Sequence, residues 1–89
     1  MPVEQDANSR DAEQLVVPEL GVVNSPIVIV GWLVAPGAEL IAGERVAELL
    51  ADSVLFHMES SVNGRLARIL KGTGSCVEVG DAIAEVELS

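Results

Sequence analysis

Basic and aromatic residues are scarce in this sequence, and their scarcity excludes several classes of partner. Five lysines and arginines stand against fourteen aspartates and glutamates, a formal net charge of −9. A chain this acidic is repelled by nucleic acid and by anionic lipid. With one tryptophan, one phenylalanine and no tyrosine, it also lacks the aromatic surfaces on which bases stack. We therefore predict that it does not bind nucleic acid.

Long apolar runs are also absent. No stretch approaches the ~18 residues that a membrane-spanning helix needs. The polar N-terminus contains no basic segment followed by an apolar one, as a secretory signal would. The single cysteine, Cys76, excludes an internal disulfide and is compatible with a reducing compartment. These absences predict a cytoplasmic protein with no membrane segment, whose fold depends on packing alone.

The length and composition predict one folded domain with a modest core. The chain has 89 residues, of which 49% are hydrophobic. Residues 1–13 are polar and acidic and show no hydrophobic periodicity, which predicts a flexible tail. The predicted domain therefore covers residues 14–89.

An internal repeat of 37 residues determines the predicted secondary structure. Shifting the chain by that length superimposes Leu33 on Leu70, Gly37 on Gly74, Gly43 on Gly80, Ala47 on Ala84 and Glu48 on Glu85. Taken alone, the stretch 38–52 has apolar residues at helical spacing. Its copy at 82–88 alternates apolar and acidic residues, however, which is the periodicity of a strand. The repeat therefore predicts β-structure in both copies.

Each half is predicted to form a long strand, a short strand and a third strand, separated by turns. Two such halves can bury their apolar faces against each other. This predicts an all-β fold, a flattened barrel-sandwich hybrid of two four-stranded antiparallel sheets with a pseudo-twofold internal repeat. The predicted strands lie near 14–17, 27–34, 38–41, 45–51, 54–60, 64–71, 75–78 and 82–88.

Particular side chains receive structural roles from this pattern. Gly31 is assigned to a bulge. We assign Leu33, Leu49, Phe56, Leu70 and Val86 to the core, together with Trp32 at one end of the sandwich. Five glycines are assigned to turns with positive φ or to close backbone approaches: Gly37, Gly43, Gly64, Gly74 and Gly80.

The sequence contains no motif of an enzyme active site or of a metal centre. G-x-S-x-G, the P-loop, H-E-x-x-H and C-x-x-C are all missing. His57 alternates with Phe56 and Met58, so we predict that it is exposed, and no acid or cysteine lies at ligand spacing from it. Cys76 has no redox partner and is interpreted as a small, half-buried residue. We conclude that the chain is not an enzyme on its own.

Motifs along the chain resemble those of the biotinyl/lipoyl carrier domain family. They follow in the family's order over about residues 14–88, and the central part needs no gaps. The segments that carry the resemblance are P-E-L-G at 18–21, W-L-V-A-P-G-A-E-L-I-A-G-E at 32–44, V-A-E-L-L-A-D-S-V-L-F at 46–56, V-N-G-R-L-A-R-I-L at 62–70 and V-E-V-G-D-A-I-A-E-V-E at 77–87.

The resemblance implies a swinging-arm carrier, yet the residue that carries the arm is missing. Family members hold lipoate or biotin as an amide on a lysine at the tip of the central hairpin. The resemblance puts that position at Ser53, whose hydroxyl would give at best a labile ester. Asp52 matches the lipoyl type, whereas the biotin type has methionine on both sides and Val54 follows here. Lys71, the only lysine, does not align with the modified position.

The resemblance thus implies a non-catalytic, lipoyl-like domain that cannot be lipoylated at the usual turn and carries no cofactor. We expect it to be a protein-binding or structural module related to the acyltransferase components of 2-oxo acid dehydrogenases, with a component of such a complex as its partner. The alternative is a true lipoyl or biotin carrier with an acceptor-site variant. A fragment of an efflux adaptor or decarboxylase subunit ranks lower, since those chains have long flanking helices.

Two leucines near the predicted tip have two interpretations. Leu50 stands where the family has an exposed glutamate, and Leu55 lies across the hairpin from it. The pair forms either an apolar patch beside the tip or a contact covered by the loop at 18–26.

Overall fold

The structure is a computed structural model that describes residues 12–89. This part of the chain contains eight β-strands. Their bounds are β1 Ala12–Val16, β2 Ile27–Trp32, β3 Glu39–Leu40, β4 Arg45–Ala51, β5 Val54–Glu59, β6 Gly64–Ile69, β7 Cys76–Val77 and β8 Ala82–Leu88. Residues 45–51 form strand β4, as the repeat predicted, although the apolar residues around them have helical spacing. No helix within residues 12–89 is long and apolar enough to cross a membrane. The predicted tail lies outside the described residues except for Ala12 and Glu13, which belong to β1.

The strands form two four-stranded antiparallel sheets. One has the order β1-β8-β6-β3 and the other the order β5-β4-β2-β7. Strands β2, β3 and β4 recur 37 residues later as β6, β7 and β8 with unchanged lengths. Each half places its short strand in the sheet of the other half, because β3 pairs with β6 and β7 pairs with β2. The predicted all-β fold with two sheets and an internal repeat is thus confirmed.

The hydrogen bonds that close each half repeat with the same period. The amide N–H of Gly37 donates to the carbonyl of Leu66 at 2.7 Å, and that of Gly74 donates to the carbonyl of Ile29 at 2.7 Å. Both glycines have φ above 90°, a backbone conformation that a Cβ makes costly. Each half therefore donates an equivalent backbone hydrogen bond, from the glycine of its turn, to the long strand of the other half.

Register shifts also repeat with this period, which confirms the bulge predicted at Gly31. The β2–β4 pairing shifts between Ile29 and Gly31, and the β6–β8 pairing shifts between Leu66 and Arg68. Each bulge inserts one residue and so reverses which face the following side chains occupy.

The predicted glycine positions are confirmed. Gly43 and Gly80 have positive φ, like Gly37 and Gly74. Gly64 is instead required by close packing, since a Cβ built on it would clash with the carbonyl oxygen of Glu87.

The core lies between the sheets and contains two of the five residues predicted for it. Leu49 and Val86 are fully buried, and Phe56 is half-buried against the core. The prediction is wrong for Leu33 and Leu70, which are 50% and 39% exposed. Both follow the bulged strands, where the extra residue turns an inward position outward. The buried hydrophobic residues are Leu15, Val17, Ile27, Ile29, Leu40, Val46, Ala47, Leu49, Ala51, Met58, Leu66, Val77, Ile83, Ala84 and Val86.

Candidate functional site

A two-residue hairpin turn joins β4 to β5 and carries the position singled out by the sequence. Ala51 is buried and pairs with Val54, and Asp52 and Ser53 form the exposed turn between them. Their φ angles are 52° and 62°. Positive φ at both central residues is the pattern of a type I′ turn, whose twist matches that of the flanking strands. The buried Ala51 and the tight turn together hold the tip rigidly outside the sandwich.

The side chain at this tip does not fit covalent attachment of lipoate or biotin. An activated acyl group needs a primary amine to form a stable amide, and Ser53 offers a short hydroxyl. His57 lies four residues along β5, roughly 13 Å away at the rise of an extended strand, too far to take a proton from that hydroxyl. The Ser53 hydroxyl has no hydrogen-bond partner among residues 12–89. The exposed two-residue turn thus presents a serine hydroxyl and no amine.

The one lysine lies far from this turn. Trp32 Nε1 donates a hydrogen bond to the carbonyl oxygen of Lys71 at 2.9 Å, which fixes Lys71 beside the end of β2. Ile27, at the other end of β2, pairs with Ala51 next to the tip. Five residues of extended strand separate Ile27 from Trp32, roughly 16 Å. Lys71 therefore cannot substitute for a lysine at the tip, and the half-buried Trp32 packs on the core as predicted.

Histidine 57 is exposed, as the alternation predicted, and has an acidic neighbour that the sequence spacing did not suggest. Its Nε2 lies 3.2 Å from the Glu48 carboxylate, with both side chains about one-third exposed. The two residues are directly opposite each other on β5 and β4. Only the pairing of the strands brings them together, so linear spacing could not show it. A single half-exposed pair is a surface ion pair of small energetic weight, and within residues 12–89 no three metal-ligating side chains converge.

The leucines beside the tip form an open apolar pair. Leu50 and Leu55 pair directly across the hairpin and are 40% and 49% exposed. The loop at 18–26 does not cover them, so of the two interpretations the structure favours the exposed patch. Val54, next to the turn, is 48% exposed as well.

Cys76 is exposed, and the prediction of a half-buried residue is wrong. It lies on β7, the edge strand of its sheet, and pairs with Val28. Its neighbour Val77 takes the inward position and is buried. A residue on the outer face of a two-residue edge strand has no further strand to shield it.

A surface groove beside Cys76 was not foreseen from the sequence. It has a volume of about 440 Å³ and lies between the loop at 22–26 and residues 76–79. Val22, Cys76 and Val79 contribute to its walls. The conformation of the loop at 22–26 creates this groove. In that loop Asn24 has a φ of 56°, a backbone region that asparagine tolerates, so the asparagine is a sequence feature that agrees with the loop's shape.

Comparisons with known proteins place the chain in a family. The profile of the biotin/lipoyl family, described as "Biotin-requiring enzyme", matches residues 13–86. The chain is 32% identical over 75 residues to the lipoamide acyltransferase component of the branched-chain α-keto acid dehydrogenase complex of Bacillus subtilis, covering 84% of this chain and 18% of that protein. It is 39% identical over 70 residues to the dihydrolipoyllysine-residue succinyltransferase component of the 2-oxoglutarate dehydrogenase complex of Staphylococcus saprophyticus, covering 79% and 16%. The chain thus spans less than a fifth of the length of these relatives.

Solved structures share the fold. The lipoyl domain of the 2-oxoglutarate dehydrogenase complex from Azotobacter vinelandii superimposes with a TM-score of 0.66 at 19% identity, covering 82% of this chain and 92% of that one. A single-chain, multi-domain long-chain acyl-CoA carboxylase superimposes with a TM-score of 0.72 at 19% identity, covering 89% of this chain and 7% of that one. Because the family profile covers nearly all of the described residues, and because the relatives are acyltransferase components of 2-oxo acid dehydrogenase complexes, the chain belongs to the biotin/lipoyl attachment domain family and is related to its lipoyl members.

Proposed function

We propose that this domain is a lipoyl-like module that carries no cofactor and acts by binding another protein. The observation that carries the proposal is Ser53 at the tip of an otherwise intact attachment turn. The positive φ values of Asp52 and Ser53 and the pairing of Ala51 with Val54 keep the turn in its protruding form. A domain that has this fold and turn but no amine at the tip cannot carry an acyl group there, although its surface can still bind another protein.

The proposed partner is a component of a 2-oxo acid dehydrogenase-type complex. Two curated relatives of this chain are components of such complexes, and the exposed apolar pair Leu50 and Leu55 supplies a contact surface next to the tip. A reducing cytoplasm, in which the exposed Cys76 stays a free thiol, suits such a module.

The alternative function is that of a true carrier with a variant acceptor site. It requires that an acyl group reach the Ser53 oxygen or another nucleophile of this chain. The exposed two-residue turn with positive φ at both positions is the observation in its favour, because a ligase that recognises a protruding hairpin would find one here.

Intact-mass measurement after co-expression with a lipoate ligase separates the two functions. The proposed function predicts that the whole chain keeps its unmodified mass. The homologous domain of the Bacillus subtilis acyltransferase, expressed with the same ligase, serves as the positive control. A gain of one lipoyl or octanoyl group on this chain, located to any residue by peptide sequencing, would reject the proposal in favour of the carrier.

A further inference from the structure

Four residues form a continuous apolar row across the outer face of one sheet. Leu55 pairs with Leu50, Leu50 pairs with Val28, and Val28 pairs with Cys76. Residues directly opposite each other in antiparallel strands share a face, so the four side chains line up across β5, β4, β2 and β7. We call these four residues the apolar row. Val30, two residues along β2 from Val28, extends it and is 38% exposed.

The pseudo-twofold repeat supplies an internal comparison for this row. The equivalent positions of the other sheet are joined by the same sequence of pairings, Ala12 to Glu87, Glu87 to Arg65 and Arg65 to Glu39. There Arg65 lies between two carboxylates, with its Nε 3.9 Å from Glu39. The same backbone geometry therefore supports a charged row on one sheet and the apolar row on the other. Fold alone does not demand exposed apolar side chains at these positions, and their solvation is unfavourable.

Acidic side chains surround the apolar row. Glu48 lies beside Leu50 on β4, Asp52 stands at the tip, Glu59 ends β5 and Glu78 follows β7. The basic residues on the strands of this sheet are Arg45, which pairs with Glu59, and His57, whose Nε2 lies 3.2 Å from the Glu48 carboxylate. The other described arginines, Arg65 and Arg68, lie on β6 in the opposite sheet and face Glu39 and Glu85. The charged neighbours of the apolar row on this sheet are thus mostly acidic.

The groove beside Cys76 continues the apolar row at its far end. Val22 and Val79 line it together with Cys76. Leu55, next to the tip, marks the other end. A partner lying along the row would contact the hairpin at one end and could seat a side chain in the groove at the other, which is the arrangement of an anchor in a pocket that dominates many interfaces.

We propose that the apolar row and this groove are the docking surface of the domain, and that the occupant is a different protein whose contact surface is apolar with a border of lysine and arginine. The inference rests on the proposed function as a protein-binding module and names its surface. Charge complementarity selects the occupant, since a basic border meets the mostly acidic neighbours of the row. A second copy of this chain would set two groups of acidic neighbours against each other, and an anionic membrane would be repelled.

Photo-crosslinking from the row itself identifies the occupant. The natural thiol of Cys76 is labelled with a benzophenone maleimide, and the labelled whole chain is irradiated in an extract of the organism that makes it. The matched control is the double variant C76S/E39C, labelled at the equivalent position of the charged row. The proposal predicts one heterologous protein joined to position 76 and absent from position 39. A crosslink to a second copy, equal crosslinking from both positions, or none from position 76 overturns it.

Binding by the purified crosslinked protein then tests the chemistry of the contact. Leu50→Glu places on the apolar row the residue that the repeat has at Glu87, so the fold accepts it, which circular dichroism and unfolding would verify. We expect it to weaken binding about tenfold or more, while the control Glu87→Gln leaves affinity unchanged. Affinity should also fall as salt rises. Unchanged binding by Leu50→Glu, or binding indifferent to salt, overturns the docking surface. The proposed function is tested separately by mass, and a partner captured only through another face would leave it standing.

Discussion

Asp52 and Ser53 are adjacent residues that both occupy the left-handed region of backbone space, with φ of 52° and 62°. Neither is glycine, although each side chain is disfavoured there, serine more than aspartate. The protruding hairpin therefore has a strained backbone at Asp52 and at Ser53, and Ser53 is the position proposed to correspond to the family's modified lysine.

Replacing Ser53 by glycine should stabilise the domain. Glycine adopts positive φ without the Cβ clash, so Ser53→Gly is expected to raise the free energy of unfolding by about 0.5–1 kcal/mol. Ser53→Ala is the control, expected within about 0.5 kcal/mol of the wild type because the turn is exposed. Urea unfolding measures both. A large loss in Ser53→Ala would mean that the hydroxyl holds the turn.

Truncation of the core should distinguish Leu49 from Leu33. Leu49 is fully buried between the sheets, and Leu49→Ala is expected to lower the free energy of unfolding by about 2–5 kcal/mol. Leu33 follows the bulged strand and is half-exposed, so Leu33→Ala should cost less than about 1 kcal/mol. Equal losses in chemical denaturation would show that the bulge does not turn Leu33 outward.

A methyl group added at Gly64 should be poorly tolerated. Its Cβ would meet the carbonyl oxygen of Glu87 and, at 2.8 Å, a methyl of Val86. The strands must separate to admit it, so Gly64→Ala is expected to destabilise by about 1–3 kcal/mol or more. Gly72→Ala is the matched control, because no atom lies within 4 Å of a Cβ at that position. Thermal unfolding of the two variants compares them, and equal midpoints would contradict the close β6–β8 contact.

The strands could be predicted because three of them occur in both copies of the repeat, so a clear pattern in one copy resolves an ambiguous pattern in the other. The helical spacing around Val46 and Leu49 is ambiguous alone, and the clean alternation of Ala84, Glu85 and Val86 resolves it. Burial at the strand ends could not be predicted in the same way. The bulge at Gly31 changes the face that Leu33 occupies, and a β-bulge is a property of pairing rather than of composition.

The candidate site was predictable in part. Resemblance to the family located the turn at Asp52 and Ser53, and the predicted hairpin placed Leu55 across from Leu50, as the pairing of β4 with β5 confirms. The extension of this pair to Cys76 depends on which strand pairs with β2, and this follows only from the exchange of short strands between the halves. Comparing mismatched positions of the repeat, such as Leu50 against Glu87, is the sequence signal that would have revealed the apolar row.

Restoring the amine should restore acylation. The turn is exposed and has positive φ at both central residues, so Ser53→Lys co-expressed with a lipoate ligase is expected to gain one lipoyl group. Ser53→Arg, which adds a long cation without an acylatable amine, is the control and should gain nothing. Intact mass reports both. An unmodified Ser53→Lys protein would show that the surface around the tip has also diverged from what a ligase recognises.

The mass of the native protein, purified from the organism that makes it, decides whether the hairpin carries an acyl group. We expect the hairpin peptide that contains Asp52 and Ser53 to have the mass of the bare polypeptide, with no acyl adduct before or after hydroxylamine treatment. A lipoyl or biotinyl adduct on that peptide, whether it survives hydroxylamine as an amide or is released as an ester, would contradict this expectation.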